Sequence, residues 1–274
     1  MKIKNHRLVN DDETAVPFKS SPNIGGVAQH KYLVMHFTAG RSAKESVDWL
    51  ASKQAKASAH VVIGRDGSVT QLVPFDRVAW HAGASSWEGL QGMNNYSLGI
   101  ELDNAGKLTR HGDRWQAWFK VDFDDAEVVQ AVHKYETELC GWHNYTSEQI
   151  DSALQVAGLL LAEYGLCDVV GHEDIAPHRK CDPGPAFPMA SFRSRLMGRT
   201  EDSLPEYKTT TELNIRSGPG AQNPLLPGGP LPVGTVVQLM TADGAWWKVD
   251  VQGGAGMPAD LEGWVSSKYL QRVG

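Results

Sequence analysis

The chain has 274 residues, 41% of them hydrophobic, which is enough for one large domain and one small one with cores of their own. Lys and Arg number 26 against 32 Asp and Glu, a net charge of −6 with no long basic run, so a nucleic-acid partner held by electrostatics is excluded. No apolar run approaches the length of a membrane span, and the opening MKIKNHRLVNDDET turns polar where a signal peptide needs an apolar core, so the expectation is synthesis in the cytoplasm without Sec-type export.

Residues Met1 to Gln29 are polar, carry Pro17, Pro22 and the Gly25-Gly26 pair, and read as an irregular lead-in. Lys31 to Thr38, KYLVMHFT, is a short apolar, β-favouring run that predicts a buried strand. His36 lies near its carboxyl end, where open α/β sheets gather functional groups, and reads either as a ligand or as a satisfied core histidine. Ser42 to Lys53 has helical spacing, with Val47, Leu50 and Ala51 on one face and Ser42 and Glu45 placed to cap its start. Ala59 to Gly64 and Ser68 to Val73 flank Arg65-Asp66-Gly67, a hairpin signal, with His60 on the first arm pointing at the same cleft. Trp80-His81-Ala82-Gly83 opens a loop rich in Ser, Gly and Asn. Trp80 and His81 read there as a surface for a sugar or peptide, or as a cover for the core. Tyr96 to Leu102, YSLGIEL, predicts another buried strand with one acid, Glu101. A carboxylate in an apolar strand is costly unless it is paired or working, and partial burial suits its pKa to acid/base chemistry.

Asn104 to Asn144 is charged and carries Trp115, Trp118 and Trp142, and reads as an insertion crossing the surface. Thr146 opens a helix with the capping box TSEQ, followed by Ile150, Ala153, Leu154, Ala157, Leu161 and Tyr164 at helical spacing and ended by Gly165. Val170 to Phe187, VGHEDIAPHRKCDPGPAF, holds three prolines with Pro188 just beyond, and predicts a stiffened loop able to keep side chains at set distances. Within it His172 and Asp182 are of zinc-ligand type, whereas Lys180 has no lone pair to give and would serve a neighbouring anion. A polar surface loop with a chance histidine is the other reading of this segment. Cys140, Cys167 and Cys181 are odd in number without CxxC spacing and read as free thiols, with Cys181 an alternative ligand to Asp182. From about Leu204 short β-like runs alternate with Gly and Pro, which fits a small β-barrel after a linker.

Four motifs in order, YLVMHFTAG, SAHVVIGRDGSVTQLVPFDRVAWHAG, YSLGIELDNAG and GHEDIAPHRKCDPGPAF, resemble the zinc-dependent N-acetylmuramoyl-L-alanine amidases, the family that shares its fold with peptidoglycan recognition proteins. The resemblance covers roughly Lys31 to Phe187, and the long Asn104–Asn144 stretch departs from it. It implies an α/β fold with a central mixed β-sheet flanked by helices, and one zinc per chain on His36, His172 and Asp182. Glu101 would be the catalytic acid/base, and Lys180 would stabilise the transition state. His60 and His81 are candidates for binding substrate. LNIRSGPG, WWKV and EGWVSSKYL resemble bacterial SH3-like domains, which commonly bind cell-wall polymers. The expected organisation is therefore a catalytic domain over 1–200 and a small all-β SH3-like barrel over 205–274. The implied reaction is hydrolysis of the amide between N-acetylmuramic acid and L-alanine, with peptidoglycan or a muropeptide as the partner. A non-catalytic peptidoglycan-binding module and a zinc peptidase cutting within the stem peptide stand as alternatives. The expected place of action is cell wall in the periplasm or outside the cell, reached by a non-Sec route. Oligomeric state is not legible.

Overall fold

A computed structural model describes residues 1–197, 206–252 and 261–273. At its centre is a five-stranded mixed sheet in which Asp168–Gly171, Tyr32–Phe37, Ser97–Leu102, Val61–Ile63 and Val69–Gln71 lie side by side. The first four strands run parallel and the last returns antiparallel through the Arg65-Asp66-Gly67 turn, with Gly67 at φ 77°. Parallel strands are covered on both faces, and Leu33, Val34, Met35, Leu98 and Ile100 are accordingly fully buried. The Ser147–Tyr164 helix covers one face with Ile150, Ala153, Val156, Ala157 and Leu160. Its start is capped by the Thr146 side chain, which accepts the Gln149 N–H, and it ends at Gly165 in left-handed geometry. The Ala43–Leu50 helix, capped by Ser42, covers the other face, where Val47 meets Val62, Leu72 and Val73.

Three stretches differ from the sequence expectation. The lead-in is ordered: Lys2–Lys4 pairs with Arg7–Val9, and Ile24–Val27 pairs with Arg77–Ala79. Strands of three and four residues are too short to display a period of two, and the second pairing partner is remote in sequence. The Asn104–Asn144 stretch is a second five-stranded sheet, with Asp122–Phe123, Arg114–Gln116, Lys107–His111, Leu139–His143 and Val128–Val132 in that order. Ala105, Leu108, Trp115, Ala117, Phe119 and Val128 form its own small core. The Val170–Phe187 loop includes a helical turn, His172–Ile175, and is followed by a helix over Met189–Met197 that buries Phe192. Glu206 to Arg272 includes a third sheet, antiparallel, in the order Leu261–Ser266, Trp246–Val251, Val236–Asp243, Glu206–Thr209 and Leu270–Arg272. The expected boundary between 200 and 205 lies outside the described residues. Among the described residues no helix is long and apolar enough to cross a membrane.

Candidate metal centre

His36 is the fifth residue of the Tyr32–Phe37 strand, and the parallel register sets Glu101 directly beside it on the neighbouring strand. On the other side of Tyr32–Phe37 runs Asp168–Gly171, and its next residue is His172. Three groups far apart in sequence thus meet at the carboxyl ends of adjacent parallel strands. Asp182 is delivered by the loop, whose Asp182 carbonyl accepts the Glu173 N–H at 2.8 Å. His36 Nδ1 stands 2.9 Å from His172 Nδ1 and 3.0 Å from Asp182 Oδ2, and His172 Nδ1 stands 2.9 Å from the same oxygen. All three side chains are buried.

The ring nitrogens facing away decide what faces in. His81 Nε2 lies 3.2 Å from the Ser97 carbonyl, which can only accept, so that nitrogen carries the proton and His81 Nδ1 is a bare acceptor. His36 Nε2, 2.9 Å from His81 Nδ1, therefore donates, and the lone pair of His36 sits on Nδ1. His172 Nε2 donates to the Ala82 carbonyl at 3.1 Å, which leaves its lone pair on Nδ1 as well. Burial, with His172 beside it, holds His36 neutral with a pKa lowered to about 4. In the neutral tautomers that these partners select, two imidazole lone pairs and a carboxylate oxygen converge on one point. These residues therefore fit a metal ion, and among the described residues theirs is the one such donor group. Gly99 makes the support possible, since a β-carbon there would lie 2.6 Å from the His81 ring.

Glu101 is half-buried, and its Oε2 is buried without a hydrogen-bond partner among the described residues. Burial pushes its carboxyl well above the usual range, and Asp182 adds to the shift against the opposing charge of Lys180. A carboxyl group so placed is suited to take up and release a proton. Lys180 is exposed, and its charge is felt at both Glu101 and His36.

His60 and His81 do not serve as expected. His60 is fully buried, with Nδ1 accepting the Gly99 N–H at 3.0 Å and Nε2 donating to the Arg77 carbonyl at 3.0 Å, so neither ring nitrogen is left for a substrate. His81 is likewise spent, on His36 and Ser97. The partners of both rings come from other strands, which the sequence does not display. Cys181 is outside the donor group, and burial pushes its thiol up to about 11. The sequence reading also missed Glu173, His133 and Tyr145, whose hydroxyl donates to the Pro183 carbonyl at 2.7 Å. The acid beside His172 in GHEDI was the available signal. The second sheet reaches the turn that follows the His36 strand. Its Trp118 is 72% exposed and donates its indole N–H to the Ala39 carbonyl at 2.8 Å, three residues past His36.

Fold and donor set together define a class: an α/β protein whose parallel strands end in a buried His-His-Asp group that could hold one metal ion. Residues 26–185 match the Amidase_2 family, N-acetylmuramoyl-L-alanine amidase, and the chain belongs to that family. It is 36% identical over 138 residues to the 1,6-anhydro-N-acetylmuramyl-L-alanine amidase AmpD of Escherichia coli K12, covering 50% of this chain and 57% of that protein. To the N-acetylmuramoyl-L-alanine amidase AmiD of the same organism it is 31% identical over 182 residues, 63% of this chain and 55% of that one. The chain thus spans little more than half the length of either relative. A solved complex of E. coli AmiD with the substrate anhydro-N-acetylmuramic acid-L-Ala-D-γ-Glu-L-Lys is similar over 62% of this chain and 59% of that one, at 30% identity and a TM-score of 0.47.

Proposed function

We propose that the protein hydrolyses the amide joining the lactyl group of N-acetylmuramic acid to L-alanine in peptidoglycan, with zinc held by His36, His172 and Asp182. The observation that carries this reading is the convergence of three donor atoms beside a carboxylate, Glu101, whose buried oxygen has no hydrogen-bond partner among the described residues. Zinc suits two imidazoles and one carboxylate, and when bound supplies Lewis acidity at an open coordination position. Glu101 takes the proton of the attacking water and passes it to the nitrogen of L-alanine as the C–N bond breaks, leaving a muramic acid carboxylate and a free amine. Lys180 offsets the charge that develops on the carbonyl oxygen. No serine or cysteine nucleophile is required.

We assign catalysis to residues 1–200 and wall attachment to an SH3-like domain over 205–274, on the strength of the third antiparallel sheet and the LNIRSGPG and EGWVSSKYL runs. This pairing favours polymeric wall over small recycled fragments, with action in the periplasm or outside the cell. Digestion of purified muropeptides followed by mass analysis tests the reaction. The expected products are glycan free of peptide and an intact peptide beginning with L-alanine. Glycan still bearing L-alanine would make the protein a stem peptidase, and no product at all with zinc bound would make it a binding module.

A further inference from the structure

We propose that the second sheet carries a strap, residues His133 and Lys134, which sets the position of the metal ligand Asp182 through Glu173. The proposal rests on the metal centre described above and adds positioning residues to it. Glu173 directly follows His172 in the chain and reaches both sides of Asp182: its N–H donates to the Asp182 carbonyl at 2.8 Å, and its Oε2 accepts the Gly184 N–H at 3.3 Å. One residue therefore joins the turn that carries one ligand to the loop that carries another.

What aims the Glu173 carboxylate comes from the second sheet. His133 Nδ1 accepts the Tyr135 N–H at 3.3 Å, so Nε2 bears the proton, which it donates to Glu173 Oε2 at 2.7 Å. Lys134 Nζ lies 2.9 Å from Glu173 Oε1 and also binds Asp174, whose other oxygen accepts the Gly171 N–H ahead of His172. His133 and Glu173 are 2% and 7% exposed. Each oxygen of the buried Glu173 carboxylate is thus held by a separate donor, which fixes its orientation. Trp142 closes the connection, with its ring against His133 at a centroid distance of 5.6 Å and against Gly184, where a β-carbon would come within 2.9 Å of it. The strap is thus rigid at its base as well as at its tip.

The test is zinc affinity, measured by competition with a chromophoric chelator on the full-length apoprotein, for His133→Ala, Lys134→Met and His133→Gln, with Asp182→Ala as control. Loss of a group that orients a ligand weakens metal binding by about 10–100-fold. His133→Ala is expected to show a loss of that order with the far-ultraviolet circular dichroism of the wild type. Lys134→Met should show a smaller loss in the same direction, and His133→Gln, which restores an N–H donor, should recover most of it. If His133→Ala and Lys134→Met bind zinc like wild type while Asp182→Ala does not, the strap is overturned and the centre stands, even if the variants melt at lower temperature. If Asp182→Ala also keeps wild-type affinity, the metal centre itself has failed. If His133→Ala does not fold, Lys134→Met decides alone, because its side chain is partly exposed.

Discussion

Glu101 and His36 sit side by side on parallel strands, yet the structure treats them oppositely. His36 has both nitrogens committed, one to His81 and one to the donor cluster, while Glu101 keeps an oxygen with no partner among the described residues, in a place where leaving one bare is costly. That contrast separates holding from reacting. Glu101→Gln is therefore expected to retain zinc and lose turnover by on the order of 10²–10⁴-fold, the usual contribution of a general acid/base. Metal content and kcat measured on the same preparation check it, and loss of zinc would reassign Glu101 as a ligand. Gly99→Ala tests the support behind His36. Its added methyl displaces His81, frees the His36 ring and should weaken zinc binding by about 10–100-fold while Glu101 is untouched.

At the scale of elements, two buried histidines act as fasteners between strands. His60 joins the central sheet, through Gly99, to the separate Arg77–Ala79 strand, and His143 accepts the Ala105 N–H at 3.0 Å where the second sheet leaves the first. Burial lowers each pKa to about 3 from an ordinary value near 6.5, with His30 adding to the shift at His60 and Arg65 at His143. Both are neutral when folded. Below about pH 6.5 the unfolded chain binds protons that the folded chain refuses, so this stability is complete above that value. It is lost as the pH falls toward 3, by up to ~1.4 kcal/mol per unit for each histidine. Urea unfolding between pH 7 and pH 5 should show falling stability, with a shallower slope in His143→Asn, and an unchanged slope in that variant would remove His143 from the explanation.

At the scale of the whole molecule, the third sheet is packed against the rest. A β-carbon at Gly244, in the turn after Val236–Asp243, would come within 3.0 Å of Ala126 and Asn144, and Leu160 and Phe192 share an apolar cluster with Leu239 and Ala242. Calorimetry is accordingly expected to show one cooperative transition, and two resolved transitions would mean that the contact contributes nothing to stability. On the proposed function the metal binds only the folded centre, so a chelator should lower the melting temperature. The loss corresponds to about 2.7 kcal/mol where free zinc had stood at a hundred times its Kd.

Local signals carried much of this protein into view before any coordinates. The apolar runs around His36 and Glu101, the Asp-Gly hairpin, the caps at Ser42 and Thr146 and the stop at Gly165 all act within a few residues of themselves, so they can be read along the chain. The three residues that cluster as possible donors, His36, His172 and Asp182, also stand in motifs that can be read in order along the chain. What the chain could not display is which histidine faces the centre and which stands behind it, because His36 takes its partners from His81 and His172, 45 and 136 positions away. The second sheet and its strap on Glu173 were hidden for the same reason, their strands being short and their buried charges satisfied only across 40 residues of chain. Propensity and capping are properties of neighbouring residues and survive in the sequence. The direction of a lone pair is set by a hydrogen-bond partner that only folding brings near.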